Sequence, residues 1–239
     1  MRKALERIAA LQGAQRAREL EPFLARVEIV EGGGRLFKRI ADAGDVDAVD
    51  DHLATTRYAL MFAGLAFEVV VEPRGREGPD LSIAREGHSA EVEVTRFRKM
   101  HEGPSLAVPP NLPDILPEYG DPLRDIRKVR DKVTSKFRQL RRGTGLVAIW
   151  NDDGDLEELE AYEGVAEIAH EAVTGVLAVP PELFLVSYAS PWQNPRTSRQ
   201  VYCFELQSDC PPHLQHWKVD LEASLVRDLL CRATLGTQY

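Results

Sequence analysis

The sequence predicts an α/β domain built on a mixed β-sheet flanked by helices, preceded by a helical extension. Three observations carry that reading. The periodicities run helix, three-strand meander, helix, apolar strand, helix and two further strands, an interleaving that fits one sheet with helices packed on it. The run 145–150, GLVAIW, is apolar throughout, as in a strand covered on both faces. The 239 residues, 44% hydrophobic and 28% charged, are enough to bury a large core without disulfides or metal staples.

Residues 2–12 and 14–25 read as two polar helices, each with a thin apolar stripe, and residues 1–45 form the helical extension. The run 27–30 leads into Glu31-Gly32-Gly33-Gly34. Glycines after a strand-like run invite a phosphate-loop reading. Neither Gly-Lys-Ser/Thr nor GxGxxG follows, so a plain loop is expected. The α/β domain occupies 46–239, with its core at 46–150. Residues 46–64 place Val46, Val49, Leu53, Leu60 and Gly64 on one helical face. Asp50 and Arg57 fall inside that stripe, either as a mutually satisfied pair or as part of a site, whereas Asp47 and Asp51 point away. Residues 67–72 read as a strand with Phe67, Val69 and Val71 on one side. A turn at 74–79 follows, then strands at 80–84 and 90–96 about Glu86-Gly87. Six prolines between 103 and 122 mark a long irregular loop. A basic helix is expected over 123–141, the apolar strand at 145–150 and an acidic surface helix over 155–173. Strands at 183–188 and 201–206 flank a loop at 191–199, and a helix over 218–235 closes the chain.

The three cysteines, Cys203, Cys210 and Cys231, are odd in number and late in the chain, which argues against a disulfide framework and fits a reducing, cytoplasmic compartment. The first residues lack the apolar core of a signal peptide, and no stretch approaches the roughly 18 apolar residues of a membrane span, so no membrane partner is expected. A formal net charge of −8 opposes a protein that coats nucleic acid nonspecifically. The charge is segregated, however: 124–142 holds nine bases and two acids, and 152–171 holds nine acids with no Lys or Arg.

The hairpin is the sharpest feature. With a two-residue turn at Glu86-Gly87, Asp80 lies opposite Glu93, Ser82 opposite Glu91, Leu81 opposite Val92 and Ile83 opposite Ala90. Side chains alternate faces along a strand. One face therefore carries Leu81, Ile83, Ala90, Val92 and Val94, and the other Asp80, Ser82, Glu91, Glu93 and Thr95. Opposed like charges, their Cβ atoms about 4.5–5.5 Å apart, are destabilising. A divalent cation would resolve the conflict, since Mg²⁺ takes one or two carboxylates plus waters and phosphate oxygens. The alternative is a solvated polar face on an edge hairpin.

Pro79-Asp80, followed by a strand bearing Glu93 with Thr95 two positions on, resembles the PD-(D/E)XK nuclease superfamily. The similarity spans roughly 46–150. The helix with Asp50, the Gly64-Leu-Ala-Phe-Glu-Val entry into a strand, the helix with Lys136-Phe-Arg-Gln-Leu and the apolar strand follow in the order of that superfamily's core. The resemblance implies a restriction-endonuclease-like fold, Mg²⁺ or Mn²⁺ as cofactor, and hydrolysis of phosphodiester bonds, in DNA rather than RNA. It implies Asp80 and Glu93 as metal-binding carboxylates and Asp50 as the acid supplied by the first core helix. Glu91 is an extra acid, either a third ligand or a neighbour. The superfamily's lysine two residues after the second acid is replaced by Thr95. A lysine there orients the attacking water or steadies negative charge. Lys99 shares Thr95's parity, and Lys132 or Lys136 could reach from the following helix. Periodicity does not separate those two; the resemblance of Lys136-Phe-Arg-Gln-Leu favours Lys136.

In the basic helix, Ile126, Val129, Val133, Phe137 and Leu140 form the apolar stripe. The remaining faces either contact phosphates, with Lys128, Lys132, Lys136 and Arg138 as candidates, or form a solvated surface paired with the acidic segment 152–171. Cys203, Cys210, His213 and His216 are zinc-type ligands, but C-x6-C-x2-H-x2-H is not a finger spacing. His88 and His101 flank the hairpin, each either a surface histidine or a base, and Cys231 belongs to the core of the last helix. Neither a GxSxG elbow nor a papain-type cysteine is present. The expected function is a metal-dependent nuclease. Its rival is a catalytically degenerate nuclease-fold module acting in nucleic-acid binding or protein assembly, as a homodimer or in a larger complex. Thr95 and the net acidity favour that rival.

Overall fold

The computed structural model describes residues 1–75, 78–97, 122–140, 144–152, 158–179, 183–190, 200–207 and 209–226. The loops expected at 103–122 (apart from Pro122) and 191–199, with Lys99, His101 and Cys231, lie outside the described residues.

Helices α1 (Arg2–Gln12) and α2 (Ala14–Ala25) form where the apolar stripes place them. The next segment departs from expectation. A 3₁₀ turn at Arg26–Ile29 and a helix α3 (Gly33–Asp42) replace the strand-like run and the glycine loop. Gly32 is left-handed (φ 76) and caps α3, and a Cβ on Gly33 would lie 2.3 Å from the Val27 carbonyl oxygen. These glycines serve a tight turn and a close approach rather than a phosphate. Leu36 and Ile40, both buried, are the helical signal behind them.

Helix α4 (Val46–Gly64) starts where Asp45 accepts a hydrogen bond from the Ala48 N–H at 2.8 Å. Val46 is 42% exposed and drops out of the apolar stripe. From Leu53 onward α4 is buried on nearly every side, because helices cover one flank and the sheet the other. Ile8, Leu24 and Ile40 share a core with Val49 and Leu53, so the N-terminal helices pack against α4.

One mixed sheet runs β1 (Glu68–Val71), β2 (Leu81–Arg85), β3 (His88–Phe97), β4 (Gly145–Asn151), β5 (Leu183–Ala189), β6 (Val201–Glu205), in that spatial order. The first three strands are an antiparallel meander, β3, β4 and β5 are parallel, and β6 returns antiparallel. All seven residues of β4 are buried, as its unbroken apolar run predicts. Helices α5 (Pro122–Lys136) and α6 (Glu158–Val173) make the two crossovers. Both cover one face, where Val129, Val133 and Val165 meet Phe97, Val147 and Val186. On the opposite face, Tyr58 and Phe62 of α4 and Trp217 of α7 (Pro212–Glu222) pack on Val92, Val94 and Leu146.

Two helix ends move. Helix α7 opens at Pro212, six residues before the expected start, because proline at the first helical position needs no N–H partner. Helix α5 stops at Lys136. The hydroxyls of Thr134 and Ser135 donate to the carbonyls of Asp131 and Lys132, and the Phe137 and Gln139 N–H groups bond three residues back. The last turn tightens accordingly, with Phe137 and Leu140 still buried. Among the described residues, no helix is long and apolar enough to cross a membrane.

Candidate active site

The hairpin register is the one the turn dictates. Glu86 (φ 56) and Gly87 (φ 80) are both left-handed, as a two-residue hairpin turn requires. Leu81 pairs with Val92, Ser82 with Glu91 and Ile83 with Ala90. One more step places Asp80 opposite Glu93. Leu81, Ile83, Ala90, Val92 and Val94 sit in the core beneath α4, as their parity predicts.

The acidic face differs from a solvated edge. β3 pairs with β4 from Glu91 to Phe97, so it is an interior strand. Phe97, of the same parity as the acids, packs under Val129 and Val133 of α5. Glu93 is 0% exposed.

Lys136, the last residue of α5, donates from Nζ to Glu93 Oε2 at 3.3 Å. Glu93 Oε1 is buried with no hydrogen-bond partner among the described residues. Burial first, and then the Asp80 charge, push the Glu93 carboxyl up to about 8, against the opposing pull of Lys136 and the Asp80 backbone. Asp80 Oδ2 accepts the Val94 N–H at 3.0 Å, and Asp80 Oδ1 faces Arg39 Nη1 at 3.5 Å. Arg39 Nε pairs with Glu72. A cleft of about 220 Å³ opens here, lined by Arg39, His52, Asp80, Thr95, Lys132 and Lys136 together with Asp51 and Arg96. Lys132 Nζ donates to the Arg96 carbonyl at 2.8 Å. The structure thus separates two lysines that periodicity leaves equivalent: Lys136 meets the buried carboxylate and Lys132 the backbone beside it.

Asp50 and Glu91 go elsewhere. Arg96, its side chain 5% exposed, meets Asp47 at 2.9 Å, Asp50 at 3.2 Å, Asp51 at 2.9 Å and Asp152 at 3.4 Å. Asp50 also accepts from Gln12 Nε2 at 2.9 Å. Asp47 and Asp51 lie off the apolar stripe, as their spacing predicts, and reach Arg96 from its solvent side. Arg57 pairs with Asp152 at 3.4 Å and lies over the Trp150 ring, so Asp50 and Arg57 are satisfied by different partners. Glu91 accepts from Arg74 at 2.8 Å.

Arg39 and His52 line the cleft with no signal in the sequence, and Asp51 joins them there. Arg39 belongs to the helix hidden behind the glycines, and Asp51 and His52 lie off the apolar stripe of α4. Burial, and then the Arg39 charge, hold the His52 imidazole below its ordinary range.

The basic helix is partly neutralised. Arg130 makes a forked pair with Glu171 of α6, closest at 2.7 Å, and Lys128 pairs with Asp125 at 2.8 Å. Arg138 is exposed just past the end of α5. The zinc-type set is dispersed in role. Cys203 is buried in β6, burial pushes its thiol up to about 12 and that of Cys210 up to about 11, and His213 stacks on His88 at 4.2 Å. Among the described residues, no group of three or more His, Cys, Asp or Glu could hold a metal ion.

Scans of family models, of curated proteins and of solved structures each return no match to this chain.

Proposed function

We propose that this chain is a metal-dependent nuclease with a restriction-endonuclease-like fold, hydrolysing phosphodiester bonds in DNA. The observation that carries the reading is Glu93: a buried carboxylate with one oxygen unpartnered among the described residues, set opposite Asp80 and met by a lysine from α5. Fold stability alone does not favour burying a carboxylate beside a second one. The succession α4, β1, β2, β3, α5, β4 is the core order that the resemblance implies.

The residues fit a divalent cation of the hard type. Mg²⁺ is commonly bound by one or two carboxylates, its other positions taken by water and phosphate oxygens. The Val94 N–H takes Asp80 Oδ2 and the Lys136 ammonium takes Glu93 Oε2, which leaves Glu93 Oε1 and the loosely held Asp80 Oδ1 for the ion. A bound Mg²⁺ or Mn²⁺ would polarise the scissile phosphate and lower the pKa of a water. Asp80 and Glu93 would fix its position between β2 and β3. Lys136 would supply, from the helix, the positive charge that Thr95 cannot supply from the strand.

Cleavage of supercoiled plasmid and of branched DNA is expected with Mg²⁺ or Mn²⁺. It should be lost with EDTA and in Asp80→Asn. One observation favours the rival, a catalytically inactive nuclease-fold module: Thr95 stands in the cleft at the motif lysine's place. An inert wild type made active by Thr95→Lys would establish that reading instead.

The end of α5 would hold the nucleic acid. Replacing Lys132 and Arg138 by Gln should weaken duplex binding and flatten its salt dependence, by about 0.9 units of slope for each phosphate no longer neutralised. An unchanged slope would return α5 to a helix that merely pairs with α6.

A further inference from the structure

We propose that Arg39, delivered by the N-terminal helices, is a phosphate-binding residue of the cleft that shares Asp80 Oδ1 with the cation: it holds that oxygen in the metal-free chain and gives it up when a divalent ion binds. The inference rests on the nuclease reading of the cleft and extends it to a residue outside the part of the chain that resembles a nuclease.

The guanidinium is used unevenly. Its Nε is tied to Glu72, which is buried and set in a left-handed backbone conformation (φ 47) just after β1. That pairing fixes where the side chain sits. Arg35, one turn earlier on α3, donates to the carbonyls of Val71 and Glu72, at 2.8 Å to the first, and holds helix and strand end together. Nη1 reaches Asp80 Oδ1 at 3.5 Å, a loose approach beside the 3.0 Å bond on Oδ2. Nη2 has no hydrogen bond among the described residues, and Arg39 lines the cleft. Arg39 is thus anchored at one nitrogen, weakly held at the second and open at the third. A guanidinium so placed can meet a phosphate with two parallel N–H donors. Asp80 Oδ1 cannot be shared fully between Arg39 and a cation, because the two positive charges repel. Once the cation takes Oδ1, Nη1 and Nη2 are the donors left for a non-bridging phosphate oxygen.

This predicts opposite effects on the two ligands. Removing the Arg39 charge should tighten Mn²⁺ binding, by roughly tenfold for one charge removed at this range in a solvated cleft. It should weaken binding of a short DNA duplex and take about 0.9 units from the salt slope, the signature of one neutralised phosphate. The test is calorimetry of Mn²⁺ and salt-dependent duplex binding in Mn²⁺. Arg39→Gln is compared with its parent on a Lys136→Met background, which keeps both carboxylates and slows turnover. Since Arg39→Gln strands the buried Glu72, the pair Arg39→Gln/Glu72→Gln is measured alongside it, and Arg39→Lys should recover part of the duplex affinity. Tighter Mn²⁺ with weaker, less salt-dependent duplex binding is the expected result. Mn²⁺ affinity that is equal or weaker without Arg39, or an unchanged salt slope, would overturn the proposal. If Arg39→Gln has no effect while Asp80→Asn abolishes Mn²⁺ binding, Arg39 alone is misread. Mn²⁺ affinity untouched by Asp80→Asn would sink the metal reading itself, and this proposal with it.

Discussion

Lys136→Met is expected to bind divalent cations and to cleave about 10²–10³-fold more slowly than the wild type, the usual worth of one positioned charge-stabilising group. The expectation follows from where the lysine stands. Its Nζ is 3.3 Å from Glu93 Oε2, and the side chain lines the cleft that holds Asp80. On the nuclease reading, a cation there would face the reacting phosphate without occupying the carboxylate oxygens left for the metal. Lys132→Met is the internal control. Its ammonium donates to the Arg96 carbonyl, so its loss should act on DNA affinity far more than on the rate of the bound complex. Thr95→Lys in the Lys136→Met background should restore part of the rate, since Thr95 lines the same cleft. Equal rates in Lys136→Met and wild type would remove the lysine from the mechanism.

The second large effect is on stability, and its sign depends on pH and metal. In the metal-free protein the Glu93 carboxyl is raised from an ordinary 4.5 to about 8, with burial the main cause. The folded chain therefore holds this proton more tightly than the unfolded chain does. Its stabilising contribution is complete below about pH 4.5 and is lost as pH rises through 8. Gln keeps the shape and cannot ionise. Glu93→Gln should match the wild type in acid and become the more stable of the two as pH climbs from 4.5 towards 8. The gap should reach the order of a few kcal/mol, or several degrees in Tm. Excess Mn²⁺ should reverse the order, because a cation that binds the folded state stabilises only the protein that can bind it. Thermal melts across pH, with and without Mn²⁺, check both halves. A stability difference that does not vary with pH would show that Glu93 is not the strained group described here.

Much of this site was legible because a hairpin's turn sets its register and the register sets which side chains share a face. Glu86-Gly87 between two alternating runs suffices to bring Asp80 against Glu93. The burial of that face was not legible, since it depends on α5 folding back over β3 from beyond a proline-rich stretch. For the same reason, Lys132 and Lys136 look alike on a helical wheel and differ once the helix is placed. Asp50 shows the opposite failure. The resemblance implies a metal ligand at Asp50, but Arg96, on the other face of β3, gathers Asp47, Asp50, Asp51 and Asp152 and holds Asp50 there. Arg39 was hidden for a local reason: three glycines read as a loop, when two of them open a helix and Gly33 lies against the backbone of Val27.

The central claim is that Asp80 and Glu93 hold one divalent cation together, and titration calorimetry of Mn²⁺ tests it most directly. One site per chain is predicted for the wild type, with proton uptake by buffer that grows below the Glu93 pKa, because the carboxyl must ionise to bind. Asp80→Asn and Glu93→Gln should each abolish the heat, whereas Asp50→Asn and Glu91→Gln should leave it in place. Equal Mn²⁺ affinity in wild type and Asp80→Asn would contradict the account.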